Sequence, residues 1–283
     1  VDPHPYFALH LHSNEELTPF LPSAVTARET LHEWPLSCVQ RLHCEDGQTF
    51  IYKVQSAPSV EPEFYRQARS SLLVTAQILP VDSGPAALLL EDVYAPRLDG
   101  VIRSAAEAIA LTEQILDQIA AIDGKLPALD DIRSEDGWLA YAEAILDDLR
   151  ALVAAGSFQQ VNGAMIDTVA AVIAAEDVHA ARQGKSGYVH GDLKSDNVLV
   201  AADGVRVLDW QRPRWGPVAL DRLSLLSSLG VDPADHVAVG VQRLHVLLQI
   251  GWLAQCAIHW FAPGVPHYDG QIAQLIGTLN PPN

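Results

Sequence analysis

The stretch 188–211, YVHGDLKSDNVLVAADGVRVLDWQ, constrains the fold of this chain more than any other. Two short β-branched runs, 198–200 and 205–208, flank Ala202-Asp203-Gly204. An Asp-Gly step between such runs is among the best short-range signals for a β-hairpin. His190-Gly191-Asp192 stands before the first run, Asn197 comes five residues after Asp192, and Asp209 follows the second run. A hairpin lays its two ends side by side, so Asp192, Asn197 and Asp209 are expected to converge.

Three oxygen-bearing side chains arranged in this way suit phosphoryl transfer. Mg²⁺ is a hard cation that takes oxygen ligands, and it neutralises charge on the phosphates. Asn197 and Asp209 are the expected metal ligands. Asp192 is the expected catalytic base, placed to accept or orient the proton of an attacking hydroxyl. Taken singly, each of these residues reads as a turn or cap, and His190 reads as a packed core histidine. The ordered set carries the reading.

The pattern H-x-D-L-x-x-x-N matches a kinase catalytic loop, and an apolar strand ending in Asp matches the metal-binding position that follows it. Here the chain resembles the protein-kinase-like superfamily, specifically its aminoglycoside phosphotransferase type. Gly191 stands where protein kinases carry Arg, and Asp209-Trp210-Gln211 stands where they carry Asp-Phe-Gly. Both variants are typical of the small-molecule branch. The resemblance covers about residues 36–229. It implies an α+β, bilobal fold: a small β-rich lobe over 1–92 for the nucleotide, and a large helical lobe over 93–283 with the catalytic loop and substrate site. ATP and Mg²⁺ would occupy the cleft.

Upstream, 36–54 reads as two strands joined at Cys44-Glu45-Asp46-Gly47-Gln48. Lys53 is one lysine in an otherwise apolar strand. It reads either as an edge-strand lysine or, on the resemblance, as the residue that steadies the α- and β-phosphates. A helix follows with Pro62 in its first turn. Glu61 and Glu63 compete as the partner of Lys53. Glu61 shares a face with Phe64, Tyr65, Ala68 and Leu72, so the inward position falls to Glu61. Residues 86–90 read as a buried strand leading to the hinge near Val93, with Glu91 and Asp92 structural. Residues 15–36 contain no glycine, so the glycine-rich phosphate loop of protein kinases is missing.

Spacing of Ile, Leu, Val and Ala predicts helices over 101–122, 137–155 and 164–183, then over 220–229, 236–260 and 268–279. Only 12 positions separate Asp209 from Asp221, too few for the peptide-binding activation segment of a protein kinase. Asp221 matches the aspartate that braces the catalytic loop in this superfamily, and it equally suits a helix N-terminus. Lys194 is placed to reach the transferring phosphate or to face solvent.

With 18 Lys+Arg against 35 Asp+Glu, the net charge is −17. Such a surface repels nucleic acid and anionic membranes and mildly favours a cationic partner. Cys38, Cys44 and Cys256 lack metal-ligand spacing and read as buried thiols, while His4, His10 and His12 read as solvated. The opening residues show neither the basic start nor the apolar core of a secretory signal, and no run has the length of a membrane span, which makes a cytoplasmic protein the expectation. The expected activity is transfer of the γ-phosphoryl of ATP to a hydroxyl of a small molecule of aminoglycoside, amino-alcohol or sugar type. The alternative is a non-catalytic nucleotide-binding regulatory module.

Overall fold

The computed structural model describes residues 2–80 and 86–279. In chain order the strands are β1 (Asp2–Pro3), β2 (His10–Leu11), β3 (Val25–Trp34), β4 (Ser37–Cys44), β5 (Thr49–Gln55), β6 (Ala76–Leu79), β7 (Ala87–Glu91), β8 (Asp130–Asp131), β9 (Ser186–Val189), β10 (Val198–Ala201), β11 (Gly204–Val207) and β12 (Arg214–Pro217). The α-helices are α1 (Asn14–Leu17), α2 (Glu61–Gln67), α3 (Ala105–Ala120), α4 (Glu135–Ala154), α5 (Gly163–Ile173), α6 (Glu176–Arg182), α7 (Ala219–Ser228), α8 (Val239–Gln255) and α9 (Val265–Leu279). The fold is α+β, with a β-sheet N-terminal region and a helical C-terminal part. Two compact units emerge: Val1–Leu129 with Asp192–Pro213, and Asp130–Gly191 with Arg214–Asn283. These bounds differ from the lobes 1–92 and 93–283, because α3 and the stretch 192–213 group with the N-terminal sheet.

The first unit is built on a five-stranded sheet in the order β3-β4-β5-β7-β6, antiparallel throughout. The β4–β5 hairpin turns at the predicted Asp-Gly step, where Gly47 adopts a φ of 83°. Side chains alternate across a strand, so Tyr52 and Lys53 face opposite sides. The Tyr52 side is covered by the chain start: Leu9, Leu17, Leu42, Tyr52, Val54, Leu79 and Leu89 form one buried cluster.

Two of the three histidines expected in solvent are buried beneath this cover. His12 donates its backbone N–H to the Tyr52 hydroxyl at 2.7 Å. Its Nδ1 lies 2.7 Å from the same oxygen and its Nε2 3.2 Å from Pro80 O. The hydroxyl hydrogen then points at Nδ1, and Nε2–H donates to the carbonyl. His4 Nδ1 accepts from Tyr6 N and Phe7 N, which directs Nε2–H to Glu33 Oε2 at 3.2 Å. Cys38 lies close enough to complete a three-ligand set with His4 and Glu33. With Nδ1 accepting from two N–H donors, however, Nε2 carries the proton and offers no lone pair to a cation, and His4 and Glu33 form a hydrogen-bonded pair. His10 is exposed, as expected.

Strand β3 was absent from the sequence expectation. It carries charged and polar residues on both faces and buries only Val25, so no apolar alternation announces it. It joins β4 through Pro35-Leu36, with Trp34 opposite Ser37 and Trp34 Nε1 donating to Ser37 Oγ at 2.8 Å. The hairpin closes without glycine in the region where a glycine-rich loop was missed.

In the second unit, α4, α5, α6, α8 and α9 enclose a core that includes Ile145, Leu149, Val169, Leu244, Leu247 and Ile272. The predicted helix over 164–183 is two helices, α5 and α6, because Ala175 takes an extended conformation and Glu176-Asp177 open a new N-terminus suited to acids. A three-stranded sheet in the order β8-β12-β9 completes the unit. Among the described residues, no helix is long and apolar enough to cross a membrane.

Candidate active site

Strands β10 and β11 form the predicted hairpin, with Val198 opposite Val207 and Ala201 opposite Gly204. Leu208 N donates to Asn197 O at 2.8 Å, which extends the pairing one step beyond the strands and sets residues 197 and 208 side by side. A 3₁₀ turn over Ser195–Asn197 feeds β10. Asn197 Nδ2 donates to Asp192 O at 3.0 Å. That bond shapes the loop and turns the amide so that its carbonyl oxygen is the end left to meet a cation. Asp209 takes a left-handed φ of 67° immediately after the hairpin.

The lysine on β5 and the first residue of α2 meet this turn. Lys53 Nζ lies 2.6 Å from Asp209 Oδ1 and 2.6 Å from Glu61 Oε2. Glu61 is wholly buried and also accepts from Trp210 N at 3.2 Å. Glu63 instead pairs with Arg66 and Gln67 on the outer side of the helix. Burial opposes the charge on Lys53, yet Asp209 and Glu61 hold its ammonium above the ordinary lysine value. Burial pushes the Glu61 carboxyl upward; Lys53 pulls it back, and the negative Asp209 adds to the rise. A cation held between two carboxylates is a site that loses balance when either acid goes.

Asp192 is flanked by two cations. Lys194 Nζ lies 2.7 Å from Oδ1, and Arg212 Nη2 lies 3.5 Å from Oδ2. Arg212 was not singled out from the sequence; its signal was a second cation just past Asp209-Trp210-Gln211. Asp92 and Glu91 take the structural parts expected of them. Asp92 accepts from Arg41 Nε at 2.7 Å, and Glu91 accepts from Thr75 N at 3.2 Å.

In the second unit, Asp221 on the first turn of α7 is buried and accepts from His190 N at 2.7 Å and Gly191 N at 3.1 Å. Burial raises its carboxyl above the usual range, while His190 and the two backbone donors oppose the rise. Gly191 has a φ of 85°, a left-handed conformation that explains glycine between His190 and Asp192.

The model of the phosphotransferase enzyme family matches residues 42–252, most of the chain. The chain belongs to this family. No curated protein's sequence matches that of this phosphotransferase. Its fold is shared with solved structures of low identity. A thermostable mutant of the aminoglycoside phosphotransferase APH(4)-Ia, in its apo form, is 14% identical over 94% of this chain and 98% of that one, with a TM-score of 0.64. Choline kinase LicA from Streptococcus pneumoniae is 14% identical over 94% and 97%, at 0.61. The macrolide 2′-phosphotransferase MphH from Brachybacterium faecium is 17% identical over 95% and 97%, at 0.55.

The oxygen donors of this phosphotransferase fit the cation that such chemistry uses. An amide carbonyl at Asn197 and a carboxylate at Asp209 would be hard oxygen donors to such a cation, and the bond from Leu208 N to Asn197 O sets the two residues on neighbouring stretches of backbone. They suit Mg²⁺ far better than a thiolate-seeking metal.

Proposed function

We propose that this phosphotransferase moves the γ-phosphoryl group of ATP to a hydroxyl of a small molecule, with Mg²⁺ held by Asn197 and Asp209. The carrying observation is the cluster in which one buried ammonium, Lys53, sits between Glu61 and Asp209 next to the Asp192–Asn197 loop. Lys53 steadies the nucleotide phosphates, and Glu61 fixes Lys53. The metal supplies charge neutralisation on the phosphates. Asp192 orients the acceptor hydroxyl and takes its proton as the acceptor oxygen bonds to the γ-phosphorus and the bond to the β-phosphate oxygen breaks. Lys194 and Arg212, now on the Asp192 carboxylate, are within reach of the same chemistry and can compensate the transferring group. On this reading the acceptor is bound in the helical part, 93–283. Structural neighbours are named for aminoglycosides, choline and macrolides, and a net charge of −17 favours an acceptor that carries an amine.

The test is ATP consumption by the purified protein across amines, sugars and amino-sugar antibiotics, with Mg²⁺ omitted as the control. Turnover with at least one hydroxyl compound, lost without the metal and lost in Asp209→Ala, is the expected result. Metal-dependent ATP binding that survives Asp209→Ala would remove Asp209 from the metal site.

A further inference from the structure

Strand β12 is the middle strand of the β8-β12-β9 sheet, and its first residue is Arg214. Arg214 stands opposite Asp130 of β8 on one side and opposite Val189 of β9 on the other. Directly opposed residues share a face of the sheet, and Val189 belongs to the helical core, so Arg214 and Asp130 are charges set on the core side. The arginine side chain is only 11% exposed. Its Nε and Nη1 are buried without a hydrogen bond, Nη2 stays 3.7 Å from Asp130 Oδ2, and the guanidinium carbon lies 5.7 Å from the centre of the Tyr141 ring. Buried donors without acceptors are costly. An apolar side chain of similar length would avoid that cost; what it could not supply is the charge.

The charge has a use just beyond Val189. His190 N donates to Asp221 Oδ2 and Gly191 N to Asp221 Oδ1, so each carboxylate oxygen holds one amide of the loop. Such bonds are roughly twice as strong to an ionised acceptor as to a neutral one. Burial opposes that ionisation; His190, its backbone N–H, that of Gly191, and Arg214 all work against the rise. The charged or titratable groups facing Asp221 are thus His190, from the loop after β9, and Arg214, from β12. Asp130 faces Arg214, which offsets the effect of burial on its carboxyl. An imidazole is charged only when protonated, whereas a guanidinium is charged throughout. Because Nε and Nη1 make no hydrogen bond, the guanidinium acts on Asp221 through its field and leaves both oxygens to the loop. We propose that Arg214 is a positioning residue for the catalytic loop, a charge buried behind β9 that holds Asp221 as a carboxylate on the His190 and Gly191 N–H groups. Gly191 leads directly into Asp192. A consequence for turnover rests on the reading of Asp192 as the base; the effect on the loop does not.

Three variants separate charge from packing. Arg214→Met keeps the length and loses the charge, Arg214→Lys keeps both, and Asp130→Asn removes the facing acid while leaving the arginine. Hydrogen exchange of the His190 and Gly191 amides is followed in the ligand-free protein from about pH 5 to about pH 8, each rate divided by the intrinsic rate at that pH. Without the guanidinium, burial lifts the Asp221 carboxyl further, so it takes its proton, and the amides lose protection, at a higher pH than in wild type. Arg214→Met should therefore lose about tenfold in protection at the acid end, the factor that one unit of displacement gives. Arg214→Lys and Asp130→Asn should follow wild type at these amides, whatever they do to the melting temperature. With an acceptor in hand, the acid limb of kcat should move to higher pH in Arg214→Met alone. Protection that matches wild type at every pH in Arg214→Met overturns the proposal. So do equal losses in Arg214→Met and Arg214→Lys, which signal packing, or in Arg214→Met and Asp130→Asn, which signal a pair serving only itself. Should Arg214→Met not fold, Arg214→Gln is read by the same criteria. If loop protection moves and the kcat limb does not, the reading of Asp192 as the base fails and the proposal for Arg214 stands.

Discussion

Glu61→Gln removes one negative charge from a wholly buried position 2.6 Å from Lys53 and changes little else. The amide keeps the size of the carboxyl and an acceptor oxygen for Trp210 N–H. Breaking a buried ion pair typically costs about 3–5 kcal/mol when the surviving charge is left uncompensated. Lys53 escapes that fate because Asp209 Oδ1 remains 2.6 Å away. The lost carboxylate was itself opposed by burial, which lowers the net cost further. The expected loss is therefore about 1–3 kcal/mol, the range for a hydrogen bond to a charged group. At about 2–4 °C per kcal/mol for a chain of this size, the melting temperature falls by roughly 5 °C. Glu63→Gln is the control. Its carboxylate serves a surface pair with Arg66, and its loss should stay within about 0.5 kcal/mol. Thermal melts of both variants, each repeated with Mg²⁺ and ADP, give the comparison. Glu61→Gln should also bind Mg²⁺·ADP more weakly, since Lys53 then belongs to Asp209 alone. Equal melting temperatures and equal nucleotide responses in the two variants would refute the reasoning, as would greater sensitivity at Glu63.

Asp192→Asn keeps the shape of the loop and should bind Mg²⁺·ATP nearly normally, yet turn over its acceptor about 10²–10⁴-fold more slowly in a steady-state assay. Burial raises the Glu61 carboxyl, so Glu61 takes its proton at a higher pH than an ordinary glutamate, whose value is about 4.3. Stabilisation by Mg²⁺·ADP should accordingly fade on the acidic side from above that value, and an ADP titration against pH should show this limb flattened in Glu61→Gln. Gly240→Ala tests the helical unit: a Cβ there would meet Asp177 O at 2.0 Å where α8 passes α6, and overpacking of this kind costs about 1–3 kcal/mol in a urea melt.

What could be read from the sequence was local. The β10–β11 hairpin pairs residues at most nine positions apart, and Lys53 and Glu61 are eight apart, so turn residues and one helix face were enough to place them. The β8-β12-β9 sheet joins residues near 130, 188 and 215 through strands of two to four residues. Strands that short have no periodicity to detect. Strand β3 was hidden by its charges, since its stability comes from the edge that β4 offers it. His4 and His12 looked solvated because their partners, Glu33 and Tyr52, are distant in sequence. Arg212 escaped because two arginines in a short segment, Arg212 and Arg214, carry no pattern that says which of them faces Asp192.

Tyr52 and Lys53 are neighbours on β5 that look in opposite directions, so anything that holds the tyrosine also limits how far the lysine can travel. The grip on Tyr52 comes from residues near the start of the chain: His12 bonds its hydroxyl, while Leu9 and Leu17 press on the same cluster. These residues stand behind the sheet as a backing plate stands behind a rivet. Without them the strand would lose its support on one side, and an ammonium they never touch would lose the fixed distance that places it on two carboxylates. Loosening residues 9–17 is therefore an intervention at Lys53 made from the far face of the sheet.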